Sequence, residues 1–242
     1  MSMDADLFRL RGAAAPDAKT SLKARGRRGA KALAEALLPT SLVAWREPGT
    51  HRGQGGAGRV ALTFDDGPTE LTRDYLAVLE RYGVRATFFL VGELCARHPE
   101  LVQAIHRAGH ELAGHGYTHR RFTHLGPRAL VDELERTRKL LPGAAGERRV
   151  VRPPHGSVSL TSTVAAASAG YTTVLWSYDS NDWATHRADE VAATFAEHPV
   201  DPGEIVLFHE GQTWTLDALP RVIERLLEAG HELTTTGDLL GR

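Results

Sequence analysis

The sequence predicts an α/β fold, a parallel sheet with helices outside, and its seven predicted strands are enough for a complete or partial barrel. Three observations carry this. From Arg59 onward, short apolar, β-prone runs alternate with helical patterns. Glycine closes or follows several of those helices, as at "RYGV", "RAGHEL", "SAGYTT" and "EAGHEL". The unusual polar residues Asp65, Asp66, His115, Arg152, Asp179, Asp182 and His209 fall just after apolar runs, where a parallel barrel collects its chemistry. A chain of 242 residues with 42% hydrophobic residues can bury a sizeable core, and α/β barrels use about this length as one unit.

The first 58 residues stand apart as a helical extension and linker, and residues 59–242 as the main domain. "KTSLKARGRRGAKALAEALLP" reads as a basic helix with an apolar side of Leu22, Ala30, Leu33 and Leu37, ended by Pro39. Such a helix packs on the outside of a domain, and its basic amphipathic character also suits peripheral contact with anionic lipid. "PGTHRGQGGAG" (48–58) reads as a glycine-rich linker. The opening "MSMDADLFRLRG" lacks the apolar core of a secretory signal, and "ALAEALLPTSLVAW" is broken by Glu35 and Pro39 and too short to span a bilayer. The expected location is therefore cytoplasmic or peripheral at a membrane.

In chain order the predicted strands are "RVALTFDD", "ATFFLVG", "HELAGHG", "RRVVRPP", "YTTVLWSYD", "EIVLFHE" and "HELTTTG". Helical patterns at 69–82, 98–108, 127–141, 159–169, 187–198 and 216–229 separate them. The formal net charge of −1 gives no global pull towards nucleic acid, and the short "KARGRRGAK" run has no aromatic platform beside it. No nucleic-acid partner is expected. The single cysteine, Cys95, excludes an internal disulfide framework and a Cys-rich zinc site.

"LTFDDGP" leaves two carboxylates at a strand end. One aspartate would serve to cap a helix starting near Pro68; two successive residues point in different directions and can serve two neighbouring tasks. "HGYTH" places His115 and His119 four apart, on one face of a helix or tight loop, a spacing that suits capture of a divalent ion. A carboxylate from the first strand would complete a His₂Asp site with open positions. "VRPPHG" holds Arg152 at a strand end beside two prolines, where its planar fork of donors can orient a carboxylate. "YDSNDW" and "IVLFHE" offer an Asp182–His209 pair, and a carboxylate neighbour raises a histidine's pKa towards that of a proton donor near neutral pH. Tyr117, Phe122 and Trp214 offer aromatic surface to sugar rings or to packing.

In this order, "TFDDGP", "HGYTH", "RPPHG", "DSNDW" and "IVLFH" resemble the five motifs of the polysaccharide deacetylases, the NodB-homology group of carbohydrate esterase family 4, over roughly residues 59–240. The resemblance implies a distorted β/α barrel that removes N-acetyl groups from amino sugars with one divalent metal. Zinc is the first expectation, with cobalt, manganese or nickel also compatible. It implies Asp65 as general base, Asp66, His115 and His119 as metal ligands, Arg152 steering Asp65, and Asp182 pairing with His209 as general acid. His155 would bind substrate through its backbone N–H, while Trp183 and Leu207 would shape the pocket for the acetyl methyl. Tyr117 joins them as a candidate substrate contact. Three positions depart from the family pattern: Gly116 where a Ser or Thr hydroxyl usually braces the metal loop, His155 where Tyr is common, and Glu210 where Asp or Asn is frequent. The expected partner is an N-acetylated amino-sugar polymer or oligomer such as peptidoglycan or a chitooligosaccharide. Deformylation or deacetylation of a lipid-linked sugar or another amide, and carbohydrate binding without catalysis, are the alternatives.

Overall fold

The computed structural model describes residues 42–47, 49–50, 55–143 and 149–241. The predicted basic helix and its suggested lipid contact lie outside the described residues. Strands β1 (Val43–Ala44), β2 (Arg59–Gly67), β3 (Thr87–Leu90), β4 (Glu111–Gly114), β5 (Val150–Val151), β6 (Thr172–Val174), β7 (Tyr178–Asp179), β8 (Ile205–His209) and β9 (Glu232–Thr234) form one sheet in which every strand pair is parallel. The order runs β1-β6-β5-β4-β3-β2-β8-β7, with β9 pairing β2.

Helices α1 (Thr72–Arg81), α2 (Gly92–Arg97), α3 (Pro99–Arg107), α4 (Pro127–Arg138), α5 (Leu160–Ser168), α6 (Asp182–Thr185), α7 (Ala188–Glu197), α8 (Thr213–Glu228) and α9 (Thr236–Leu239) connect them. Their ends follow local chemistry. Pro99 and Pro127 stand in the first turns of α3 and α4, and Ser159 and Ser162 cap α5 reciprocally.

The run predicted as one strand, "YTTVLWSYD", divides into β6, second from one end of the sheet's hydrogen-bonded path, and β7, at the other end. Residues 175–177 carry the chain between them. Leu175 N donates to Ala44 O at 2.8 Å and Ser177 N to Ile205 O at 3.1 Å. The barrel is therefore distorted, with chain rather than a regular ladder across one side.

The sequence boundary at residue 58 also moves. Val43 and Ala44 pair with Thr173 and Val174, and Trp45 is buried, so the sheet begins before the glycine-rich segment. A strand of two residues is too short to show periodicity, and only its β6 neighbour reveals it.

Alternation along β2 and β8 separates two cores. Val60, Leu62, Phe64, Val206 and Phe208 face the helices, packing with Tyr75, Leu79 and the α8 stripe Ala218, Leu219, Val222, Ile223 and Leu226. Ala61 and Ile205 face the barrel interior with Phe89, Ala113 and Val174. Each large apolar side chain so buried contributes about 1.5–3 kcal/mol relative to exposure. Two residues further along the inner face come Thr63 and Leu207, and two further still Asp65 and His209, paired across the ladder. The interior thus turns from apolar to polar towards the strands' C-terminal ends.

Candidate metal centre and active site

A bulge in β2 between Asp65 and Gly67 separates the two aspartates. Asp65 stays in the ladder, opposite Phe89 and His209, and is buried. Asp66 takes a left-handed conformation with φ 71°, which turns its side chain out of the sheet's alternation, and a cis Gly67–Pro68 bond follows. The chain then leads into α1.

Asp65 is held by Arg152, which is completely buried at the end of β5. Nη1 donates to Asp65 Oδ1 at 2.8 Å and to Thr63 Oγ1 at 2.7 Å, Nε to Val174 O at 3.2 Å, and Nη2 to Leu175 O at 3.0 Å. The guanidinium lies 3.9 Å above the Phe89 ring. A charge removed from water needs this density of partners. One oxygen of Asp65 is thereby occupied, and Oδ2 remains, 3.7 Å from His115 Nε2.

His115 Nδ1 lies 2.8 Å from Arg152 O. A carbonyl only accepts, so Nδ1 carries a proton, and in neutral imidazole Nε2 then presents a lone pair. That lone pair faces Asp66 Oδ1 at 3.4 Å, while His119 Nε2 lies 2.9 Å from the same oxygen. Oδ1 is buried and accepts no well-directed hydrogen bond. One ligand atom from each of the three residues lies within 4.8 Å of the others. Lone pairs converging on one point repel unless a cation stands between them, so the donor set fits a divalent ion with two imidazoles and a carboxylate as ligands.

The segment between the histidines is an irregular loop. Gly116 has φ +76° and His119 φ 57°. A Cβ on Gly116 would stand 3.2 Å from the Phe122 ring, in a conformation that disfavours side chains. Glu133, on the buried face of α4, accepts from Tyr117 N at 2.7 Å, from Thr118 N at 2.8 Å and from Thr118 Oγ1 at 2.7 Å.

On the other side, Asp182 is fully buried at the start of α6, after Asn181 in the left-handed region. Its Oδ1 accepts from His209 Nδ1 at 2.8 Å, and its Oδ2 from His209 N at 2.7 Å and Thr215 Oγ1 at 2.9 Å. Burial would lower the His209 pKa; the hydrogen bond and charge of Asp182, with the charges of Asp65 and Asp66, raise it to about 9. The ring is protonated at neutral pH, with Nε2 left to donate. Glu210, next in the chain, donates its N–H to Asp65 O at 2.8 Å, and its buried carboxyl accepts from Thr69 N, Thr69 Oγ1 and Thr72 Oγ1.

The structure therefore gathers Asp65, Asp66, His115, His119, Arg152, Asp182 and His209. Leu207 lies on the same inner face of β8 as His209, and Trp183, next to Asp182 in the chain, is 55% exposed, with Nε1 donating to Asp179 Oδ1 at 3.3 Å. His155, with φ 58°, brings its ring centroid 4.9 Å from that of His119. Tyr117, expected as a sugar contact, is half-buried in the loop between the histidines. Arg136 covers one face of its ring at 3.7 Å, and the Tyr117 Cδ2 would clash with a Cβ on Gly92. Phe122 is buried against Leu130 and Leu134, and Trp214 donates its Nε1–H to Asp182 O at 2.8 Å.

Sequence reasoning missed Glu133 and Thr215. Glu133 left one trace: with Leu130, Leu134 and Thr137 it occupies the buried stripe of α4, where a carboxylate is out of place unless it has partners.

Comparison with known proteins agrees with this geometry. Residues 52–174 match the family described as polysaccharide deacetylase. The chain is 31% identical over 214 residues to a peptidoglycan-N-acetylglucosamine deacetylase of Bacillus cereus, covering 86% of this chain and 97% of that protein. It is 36% identical over 159 residues to a chitooligosaccharide deacetylase of a Bradyrhizobium species, covering 64% and 72% respectively. Among solved structures, a family 4 carbohydrate esterase from Streptomyces lividans in complex with acetate superposes with a TM-score of 0.67 at 36% identity, covering 72% of this chain and 90% of that one.

Proposed function

The chain belongs to the polysaccharide deacetylase family, and from that premise we propose that it hydrolyses the N-acetyl groups of N-acetylglucosamine units in a polymer or oligomer, releasing acetate. One observation carries the reading: the Asp66–His115–His119 cluster, whose ligand atoms lie within 4.8 Å of one another, stands beside an Arg-held carboxylate and an Asp-held imidazolium.

We assign Asp66, His115 and His119 as ligands of one divalent ion, zinc in the first instance, with cobalt, manganese or nickel suited to the same donors. When bound, the ion supplies Lewis acidity at the reacting amide. The chain's own groups then divide the proton work. Asp65, with Oδ1 tied to Arg152, keeps Oδ2 to take a proton from the attacking water. Arg152 fixes that carboxylate, and its Nη1 bond disfavours any turn of Oδ1 away from Thr63. As water oxygen bonds to the amide carbon and the carbon–nitrogen bond breaks, His209 Nε2 gives its proton to the departing amine. Asp182 keeps the Nδ1 proton in place and stabilises the charged ring. Acetate and a free amino sugar result, with the proton from water on Asp65 and the His209 proton on the amine. Leu207 and Trp183 would flank the acetyl methyl, and the His155 N–H would support the developing oxyanion.

The test is acetate release from N-acetylglucosamine oligomers and from peptidoglycan fragments, before and after chelation and zinc restoration. Acetate lost with the metal and regained with it supports the reading. Formate release from formylated sugars, without acetate from any acetylated one, would replace it with deformylation. Turnover unchanged by complete metal removal would overturn it.

A further inference from the structure

The loop between the two histidines has no helix or strand ladder to fix it. Gly116 and His119, both left-handed, bracket Tyr117 and Thr118, so consecutive N–H groups at 117 and 118 point the same way and need an acceptor. Their acceptor is one oxygen from elsewhere in the chain, Glu133 Oε2, while Glu133 Oε1 takes the Thr118 hydroxyl. The carboxyl group is buried, and among the described residues no cationic side chain stands within ion-pair distance of it. Its negative charge is met by these donors. The opposite edge of the loop meets α2 through the Tyr117 ring on Gly92 and through backbone: Gly92 N donates to Gly116 O at 3.0 Å and Glu93 N to Tyr117 O at 2.9 Å. Those carbonyls belong to the same two peptide planes as the N–H groups at 117 and 118, so Glu133 and the start of α2 hold these planes from opposite edges.

We infer that Glu133 is a positioning residue of the metal centre: by holding Tyr117 and Thr118 it sets the backbone that turns both His115 and His119 towards Asp66, and so sets metal affinity. This rests on the metal reading above. The reach is specific. Gly116 carries no side chain to hold its own loop, and Arg136, one turn along the exposed edge of α4, rests on the Tyr117 ring, so α4 grips the loop by both hydrogen bonds and packing.

The substitutions Glu133→Gln and Glu133→Ala separate positioning from bulk stability. A Gln carbonyl can replace Oε2, and its amide can donate to Thr118 Oγ1, whose hydroxyl turns to accept. Cobalt titration, followed by absorption of the bound ion and by competition for affinity, should find Glu133→Gln close to the unsubstituted protein. Glu133→Ala should bind about 10–100-fold more weakly, with an altered cobalt spectrum. A Glu133→Ala protein with unchanged affinity and spectrum, whatever its melting temperature, overturns the inference. If Glu133→Ala does not fold, Glu133→Asp decides: one methylene short of the loop, it should bind more weakly than Glu133→Gln, and the reverse order overturns the inference. Cobalt binding by the unsubstituted protein, abolished by His119→Ala, shows that the metal reading itself stands; no binding there overturns that reading rather than the role of Glu133.

Discussion

The two halves of the reacting centre are built on different terms. Beside His209, Asp182 is satisfied by protein groups: its Oδ1 accepts from the ring Nδ1, its Oδ2 from His209 N and Thr215 Oγ1, and His209 Nε2 is left to donate. On the metal side, Asp66 Oδ1 and the Nε2 atoms of His115 and His119 converge without a proton to share between Asp66 and His115. The first half is finished by protein alone, and the second requires a cation. Satisfied polar groups rigidify a site, whereas converging acceptors store affinity for an ion.

That contrast is broken most severely at the ligands. Replacing Asp66 or His115 with Ala should remove both metal and turnover. Lewis acidity is worth several kcal/mol, so kcat should fall on the order of 10³-fold or more, checked by acetate release beside metal analysis. Adding metal should raise the melting temperature of the unsubstituted protein and leave that of His115→Ala unchanged.

Asp65→Asn and His209→Ala should lower kcat by about 10²–10⁴-fold each, while metal content stays as in the unsubstituted protein. Loss of metal in either would erase the division between the two halves.

A smaller effect sharpens the acid side. With His209 as the proposed proton donor, activity should fall as pH rises through its pKa, which Asp182 helps raise from 6.5 to about 9. A bound cation offsets the contributions of Asp65 and Asp66, leaving Asp182 as the dominant partner. Asp182→Asn should move the alkaline limb of the kcat profile downward by about 1–3 pH units. Because the folded pKa lies above the unfolded one, the stability that His209 contributes is complete below about pH 6.5 and lost as pH rises through about 9. Denaturant unfolding at pH 6 and pH 10 should show that loss shrink in Asp182→Asn. The smallest change is Thr215→Val, which removes one donor from Asp182 Oδ2 and should cost about 1 kcal/mol of stability with a slight shift of the same limb.

Much of the centre was legible in the sequence because parallel barrels concentrate function at strand exits. Asp65, Arg152 and His209 each end an apolar run, and ladder register alone brings Asp65 opposite His209. The paired aspartates were readable as two tasks, since successive residues diverge; the bulge that sends Asp66 out of the ladder was not, because it depends on how β3 pairs. Glu133 stood in plain view as a carboxylate on an apolar stripe, yet nothing local names its partners 15 and 16 residues earlier. The contacts of Tyr117 were hidden for the complementary reason: an aromatic beside ligands suits a sugar, and only the tertiary structure brings Arg136 over one face of its ring and Gly92 against its edge.

The sequence by itself determined the alternation of strand and helix, the inward and outward faces of β2 and β8, and the chemical inventory at the barrel's end. Those follow from side-chain periodicity and residue type, which are local. Tertiary structure alone decided that β1 belongs to the sheet, that one apolar run spans the barrel's irregular side as two strands, and which oxygen or nitrogen of each functional group remains available. Those depend on hydrogen-bond partners distant in the chain, and a donor's direction exists only once both elements are in place.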